Sequence, residues 1–175
     1  MSNAHLTTKS KRLAYLLRHS ILPNQQGWME VKLLLSEHNF TESELTEIVN
    51  TDTKGRFEFS EDGALIRALY GHSNGVSIEY QKLTPPAILY HGTAKKYLSK
   101  ILTEGLKPQS RNFVHLSEDR DVARSVGQRH GEPVILHIET ARILQNGGIF
   151  YKAKNGIWLT KFIAPEYITA ETELK

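Results

Sequence analysis

The chain contains no cysteine. That one absence excludes disulfides, thiolate-bound metals and cysteine nucleophiles together. No apolar run approaches the ~20 residues a membrane-spanning helix needs, so a membrane span is not expected. The start of the chain lacks the apolar stretch of a signal peptide, so export is not expected and the cytoplasm is the expected compartment. Internal repeats and low-complexity tracts are missing too. Charge of one sign is also in short supply: 22 Lys and Arg face 19 Asp and Glu, a formal net charge of +3. With a pI of about 9.0 the chain is no polycation. Such a balance permits a nucleic-acid partner without requiring one, and any such binding depends on where the arginines sit.

What is present suits an ordinary globular protein. The 175 residues are 39% hydrophobic and 23% charged, enough for a packed core in one domain or two small lobes. Five short segments set an arginine or histidine beside small or apolar residues: Leu17-Arg18-His19-Ser20, Ile66-Arg67-Ala68-Leu69-Tyr70-Gly71-His72-Ser73, Leu89-Tyr90-His91-Gly92-Thr93, Val114-His115-Leu116-Ser117 and Val126-Gly127-Gln128-Arg129-His130-Gly131. None contains an aspartate or glutamate. A site rich in Arg and His and poor in carboxylates suits a polyanion, because the guanidinium fork matches phosphate oxygens and imidazole can donate or shuttle a proton.

The clearest seam is Lys82-Leu83-Thr84-Pro85-Pro86, where two prolines exclude helix and divide the chain almost in half. Before it, the spacing of Leu13, Leu16 and Leu17 predicts a helix from Lys9 to His19, stopped by Pro23. Val31, Leu34 and Leu35 predict another over Trp28 to Glu37, and Thr41-Glu42-Ser43-Glu44 is a capping box opening a third. Arg56 to Phe59 and Ala64 to Leu69 read as strands joined by a turn at Glu61-Asp62-Gly63. Three helices leading into a hairpin resemble a winged helix. After the seam, strands are expected at Ala87 to His91, Phe113 to Leu116, Pro133 to Glu139 and Trp158 to Ile163, with helices at Ala94 to Glu104, ended by Gly105, and Asp119 to Val126. The class is α+β with a mostly antiparallel sheet.

Each basic segment also has a plainer reading. Arg18-His19 at a helix end complements the negative end of the helix dipole. Arg67 is an ordinary strand arginine, although the following Gly71-His72-Ser73 can bring backbone amides to a ligand. Thr93 reads as the N-cap of the next helix, or His91 and the Thr93 hydroxyl hold a nucleotide that Gly92 lets approach the backbone. His115 sits before a helix in the same way, and no metal is expected because the neighbours of these histidines supply no third ligand. Gly127-Gln128-Arg129-His130-Gly131 reads as a capped helix end.

Taken together and in order, these motifs resemble the RNA 2′-phosphotransferases, the Tpt1/KptA family. The likeness runs from about Ser10 to Ile168 and includes Gly156-Ile157-Trp158-Leu159-Thr160 and Pro165-Glu166-Tyr167-Ile168. Tyr70 departs from it, since many relatives carry glutamine before Gly-His-Ser. The resemblance implies a winged-helix-like RNA-binding lobe over residues 1–84 and an ADP-ribosyltransferase-like NAD-binding lobe over 85–175. It implies transfer of an internal RNA 2′-monophosphate, as at a spliced tRNA junction, to NAD. The products are 2′-OH RNA, nicotinamide and ADP-ribose 1″,2″-cyclic phosphate, formed through an ADP-ribosylated RNA phosphate. The family's essential set maps onto Arg18, His19, Arg67 and Arg129. Arg124 is a second candidate for the last member, and the Gly-x-Arg-His-Gly pattern favours Arg129. NAD contacts are expected from His91, Gly92, Thr93, His115, Leu116 and Ser117, and secondary phosphate contacts from Gly71, His72 and Ser73. NAD is the co-substrate, an RNA carrying a 2′-phosphate is the partner, and neither a metal nor an obligate protein partner is expected.

That chemistry suits these residues. A phosphate monoester has its second pKa near 6, so it is mostly a dianion at neutral pH and attacks without a general base. Charge then accumulates on phosphorus, where arginines stabilise the transition state. The leaving RNA oxygen takes a proton, for which His19, with an ordinary pKa of about 6.5, is the candidate donor; a role as phosphate ligand stays open. Two other readings share parts of the pattern. One is an ADP-ribosyltransferase acting on a nucleic-acid terminal phosphate or a protein, and the other a non-catalytic winged-helix nucleic-acid-binding protein.

Overall fold

The computed structural model describes residues 3–19, 24, 26–73, 76 and 78–171. Ser20 and the helix-stopping Pro23 lie outside the described residues. The chain divides into two compact units, Met1–Glu79 and Tyr80–Lys175.

In the first unit, helix α1 spans Asn3–His19. Ser10, Leu13, Ala14 and Leu17 recur at helical spacing on one buried face. Helix α3 (Glu42–Asn50) begins with the capping box, Thr41 accepting from the Glu44 N–H and Glu44 from the Thr41 N–H. The same Glu44 ties α3 to α1 through His5, 3.0 Å away, and Lys9, 3.1 Å away. The His5 hydrogen bond, then the Thr41 N–H and Lys9, hold its carboxyl down to about 2. Strands β2 (Phe57–Phe59) and β3 (Leu65–Ala68) form the expected hairpin.

Residues 28–37 differ from the sequence reading. Trp28–Glu30 is a strand, β1, and only Val31–Glu37 is helical, as α2. Asn24 explains the start: its side-chain oxygen accepts from the N–H groups of Gln26 and Trp28, and Gly27 turns at φ 82°. Met29 then points inward opposite Ile66, while Trp28 lies opposite Arg67. The apolar spacing of residues 31–35 is helical, but β1 is fixed by its pairing, a long-range partner that local periodicity does not report. The sheet order is β1-β3-β2, antiparallel throughout, with β3 in the centre.

The second unit opens with β4 (Gln81–Lys82), which pairs with β8 (Tyr151–Lys152). Pairing of β4 with β8 places the residues ahead of Pro85-Pro86 in this unit. Strand β5 (Leu89–Ala94) pairs along its whole length with β7 (Pro133–Ile138), and β10 (Ile168–Ala170) pairs with the other edge of β7. A second sheet has the order β4-β8-β9-β6, where β6 is Val114–Leu116 and β9 is Trp158–Thr160. All of these pairings are antiparallel. Helices α4 (Lys95–Glu104), α5 (Arg120–Gln128) and α6 (Thr140–Gln145) and a 3-10 turn at Pro165–Tyr167 complete the unit. Leu89, Leu116, Leu136, Ile138, Phe150, Trp158 and Ile163 form its core. The architecture is α+β with antiparallel sheets. No helix among the described residues is long and apolar enough to cross a membrane.

Candidate functional site

In the first unit, the end of α1 meets the segment after β3. The Ser73 N–H donates to the Arg18 carbonyl at 3.2 Å, closing the last turn of the helix. Ser73 Oγ lies 2.6 Å from His19 Nδ1. Gly71 turns at φ 88°, and the place its β-carbon would take is bordered by Arg18 Nε, Cδ and Cζ at 3.3–3.4 Å. The Arg18 Cζ also lies 4.9 Å from the centre of the Tyr70 ring. Tyr70 therefore lines the Arg18 guanidinium.

His72 is buried, 3% exposed. Burial first, then the charges of Arg18, His19 and Arg67, push its imidazole down to about 4. It is neutral at physiological pH and brings no charge to an anion. The charges of Arg18 and His19 at the end of α1 and of Arg67 on β3 thus act on one imidazole.

Arg67 stands on the central strand, and its two cross-strand neighbours decide its environment. On β1, Trp28 lies under the guanidinium, 4.2 Å from ring centre to Cζ. On β2, Glu58 accepts from Arg67 Nε at 2.6 Å and lies 2.5 Å from Nη2. This corrects the expectation of a site poor in carboxylates. No carboxylate lies inside the basic segments, but the hairpin register delivers one from the neighbouring strand. One edge of the guanidinium fork is thereby held, and Nη1 belongs to the other edge.

In the second unit, two of the histidine segments are brought together. Tyr90 and Ser117 exchange N–H···O bonds of 2.8 and 2.9 Å, joining β5 to the residue after β6. His91 Nδ1 then donates to the His115 carbonyl at 3.0 Å. A carbonyl only accepts, so the proton is on Nδ1 and Nε2 is the acceptor in the neutral ring. Burial keeps the His91 pKa below its ordinary value, aided by the Arg111 charge and opposed by the His115 bond. Arg111 Nη1 donates to His115 Nδ1 at 3.0 Å, placing that ring's own proton on Nε2. Arg111, Trp28 and Glu58 were not singled out in the sequence, because each reaches its partner through register or a turn.

Gly92, Thr93 and Leu116 have packing roles, and the reading of Thr93 as an N-cap is corrected. Thr93 is not a helix N-cap; it is a buried residue of β5, and Ala94 takes the cap position without a side-chain bond. A β-carbon on Gly92 would lie 1.6 Å from the Ala123 carbonyl oxygen, and one on Gly127 2.7 Å from the Thr93 oxygen. The close approach that Gly92 permits is to helix α5. Leu116 is core, 2% exposed. Among these segments His91, His115 and Ser117 are part-exposed residues.

Helix α5 starts on the side chain of Asp119, which accepts from the N–H groups of Asp121 and Val122, and ends at Arg129, an exposed C-cap residue. Arg124 stands on the helix near Glu171, whose carboxyl is lowered chiefly by Arg120 and last by Arg124. Arg120 holds Glu171 by both Nε and Nη2.

Comparison with known proteins agrees with the motifs. Residues 4–162 match the family described as RNA 2′-phosphotransferase, Tpt1 / KptA family. A protein of Agrobacterium fabrum named probable RNA 2′-phosphotransferase is 42% identical over 177 residues, covering 95% of each chain. Proteins of the same name from Pectobacterium carotovorum and Escherichia coli are each 41% identical, over 96% and 93% of this chain and 96% and 95% of theirs. With similarity at this level along nearly the whole length, the chain belongs to the RNA 2′-phosphotransferase (Tpt1/KptA) family of enzymes.

Proposed function

We propose that this enzyme removes an internal 2′-monophosphate from RNA by transferring it to NAD, with Arg18, His19, Arg67 and Arg129 as the catalytic set. The observation that carries the reading is the attachment of Arg18 and His19, at the end of α1, to the Gly71-His72-Ser73 segment that follows the strand bearing Arg67. Arginines and a histidine brought to one segment suit a dianionic phosphate group. The first unit's order of helix, strand, two helices and hairpin supports a winged-helix RNA lobe, and the second unit's joined antiparallel sheets support an ADP-ribosyltransferase-like lobe.

NAD fits the second unit's donor set as co-substrate. The acceptor face of His91 suits a ribose hydroxyl, and the Arg111-oriented His115 and Ser117 offer donors. Gly92, Thr93 and Leu116 build the platform beneath them. Arg129, an exposed residue, is the better anion ligand of the two, since Arg124 is part-buried and its charge acts on Glu171.

In the reaction a 2′-phosphate oxygen bonds to C1″ of the ribose as the bond to nicotinamide breaks. The ribose O2″ then bonds to phosphorus and gives up its proton to solvent water, while the bond to the RNA 2′-oxygen breaks and that oxygen takes the Nε2 proton of protonated His19. The arginines stabilise the charge on the phosphoryl oxygens in both steps. The test is incubation of the protein with NAD and a 2′-phosphorylated oligonucleotide. Release of nicotinamide together with loss of the RNA phosphate is expected. Nicotinamide release with the phosphate retained favours an ADP-ribosyltransferase, and the absence of both refutes the reading.

A further inference from the structure

We propose that Ser73 is a positioning residue which fixes the ring orientation and tautomer of His19, so that the Gly71-His72-Ser73 strap serves the substrate phosphate through Arg18 and His19. This deepens the reading of His19 as a group acting on the 2′-phosphate and rests on it. The strap makes three separate attachments to the last two residues of α1. Its Ser73 N–H closes the helix on the Arg18 carbonyl at 3.2 Å. Its Gly71 backbone borders the Arg18 guanidinium at 3.3–3.4 Å from the absent β-carbon. Its Ser73 hydroxyl meets His19 Nδ1 at 2.6 Å, and Tyr15, one helical turn earlier, stands 5.4 Å from the His19 ring between centres.

An exposed histidine at a helix end ordinarily turns freely about two bonds and exchanges tautomers. Here a serine hydroxyl on a closed turn faces one ring nitrogen. In the cationic ring Nδ1–H donates to Ser73 Oγ and Nε2–H is the proton that can leave. In the neutral ring Nδ1–H still donates to Ser73 Oγ, and Nε2 is left with a lone pair. Nδ1 thus keeps its proton in both states, so Nε2 is the nitrogen that gives up and regains one, which is what delivery to a leaving RNA oxygen requires. His72 between them is buried with its Nε2 3.2 Å from the β-carbon position of Gly27, so it anchors the strap.

The experiment uses the full chain labelled with ¹⁵N-histidine, as wild type, Ser73→Ala and Ser73→Thr. Long-range ¹H–¹⁵N spectra give the His19 tautomer, and steady-state kinetics on a 2′-phosphorylated oligonucleotide give kcat and KM. Wild type and Ser73→Thr should show the Nδ1–H form dominating in neutral His19. Ser73→Ala should show a mixture, with kcat lowered by up to about a hundredfold, as for a misplaced catalytic group, and KM for RNA nearly unchanged. An unaltered His19 tautomer in Ser73→Ala overturns the proposal. If that variant instead raises KM for RNA, Ser73 is a direct phosphate ligand. Should wild type fail to act on the oligonucleotide at all, the reading of function falls, and the tautomer spectra still decide whether Ser73 sets His19.

Discussion

The carbonyl oxygen of Ala123 occupies the place where Gly92 would carry a β-carbon, 1.6 Å from that position. Helix α5 therefore lies directly on the backbone of β5, and Gly127 repeats the arrangement against Thr93. We expect Gly92→Ala to destabilise the second unit by at least ~3 kcal/mol, since backbone has to separate from backbone. Gly127→Ala should be severe as well. Thermal or urea unfolding measures this, and a Gly92→Ala protein of normal stability that merely fails to bind NAD would falsify the packing role.

The arginines should part company in stability. Loss of any of Arg18, Arg67 or Arg129 to alanine should lower the rate of 2′-phosphate removal by roughly 10²–10³. Arg129→Ala, at an exposed position, should leave stability unchanged. Arg67→Ala removes a charged partner of the part-buried Glu58 and should also cost about 1–3 kcal/mol. Adding Glu58→Gln to Arg67→Ala should return much of that stability and none of the activity. Equal stability of the Arg67 and Arg129 variants counts against the pairing.

His72 gives a pH dependence of known sign. Its folded pKa is about 4, below the ordinary 6.5. In the unfolded chain it takes up a proton below about pH 6.5, and in the folded chain only near 4. Stability from this group is thus complete above pH 6.5, falls as the pH drops toward 4, and changes no further below that. The ceiling is roughly 3 kcal/mol. We expect His72→Phe to flatten this segment of the stability profile. An NMR titration of His72 with a midpoint near 6.5 would contradict its burial.

His19→Ala should separate the chemical steps. Nicotinamide release requires no proton donor, whereas departure of the RNA oxygen does. The second step should slow by about 10²–10⁴, the usual range for a general acid, and ADP-ribosylated RNA phosphate should accumulate. Rapid-quench analysis of radiolabelled RNA detects it. Equal slowing of both steps without an intermediate makes His19 a phosphate ligand only.

Much was legible from local chemistry. The capping box at Thr41 and Glu44, the amphipathic face of α1 and the hairpin around Asp62 depend on neighbours within a few residues, so the sequence determined them. The basic motifs, by residue type and order, also determined the family. Tertiary structure decided what those motifs touch. Strand register brought Glu58 and Trp28 to Arg67, and pairing with β3 made residues 28–30 a strand despite the helical spacing that follows. Helix-on-strand packing turned Gly92 from a ligand approach into a backbone contact, and a turn at Gly71 joined Ser73 to His19 across 54 positions. Helical and turn signals are written within a few residues because their hydrogen bonds close over that distance. Register, close packing and side-chain pairing between distant segments have no local signal, since their partners are set only when the sheets and helices assemble.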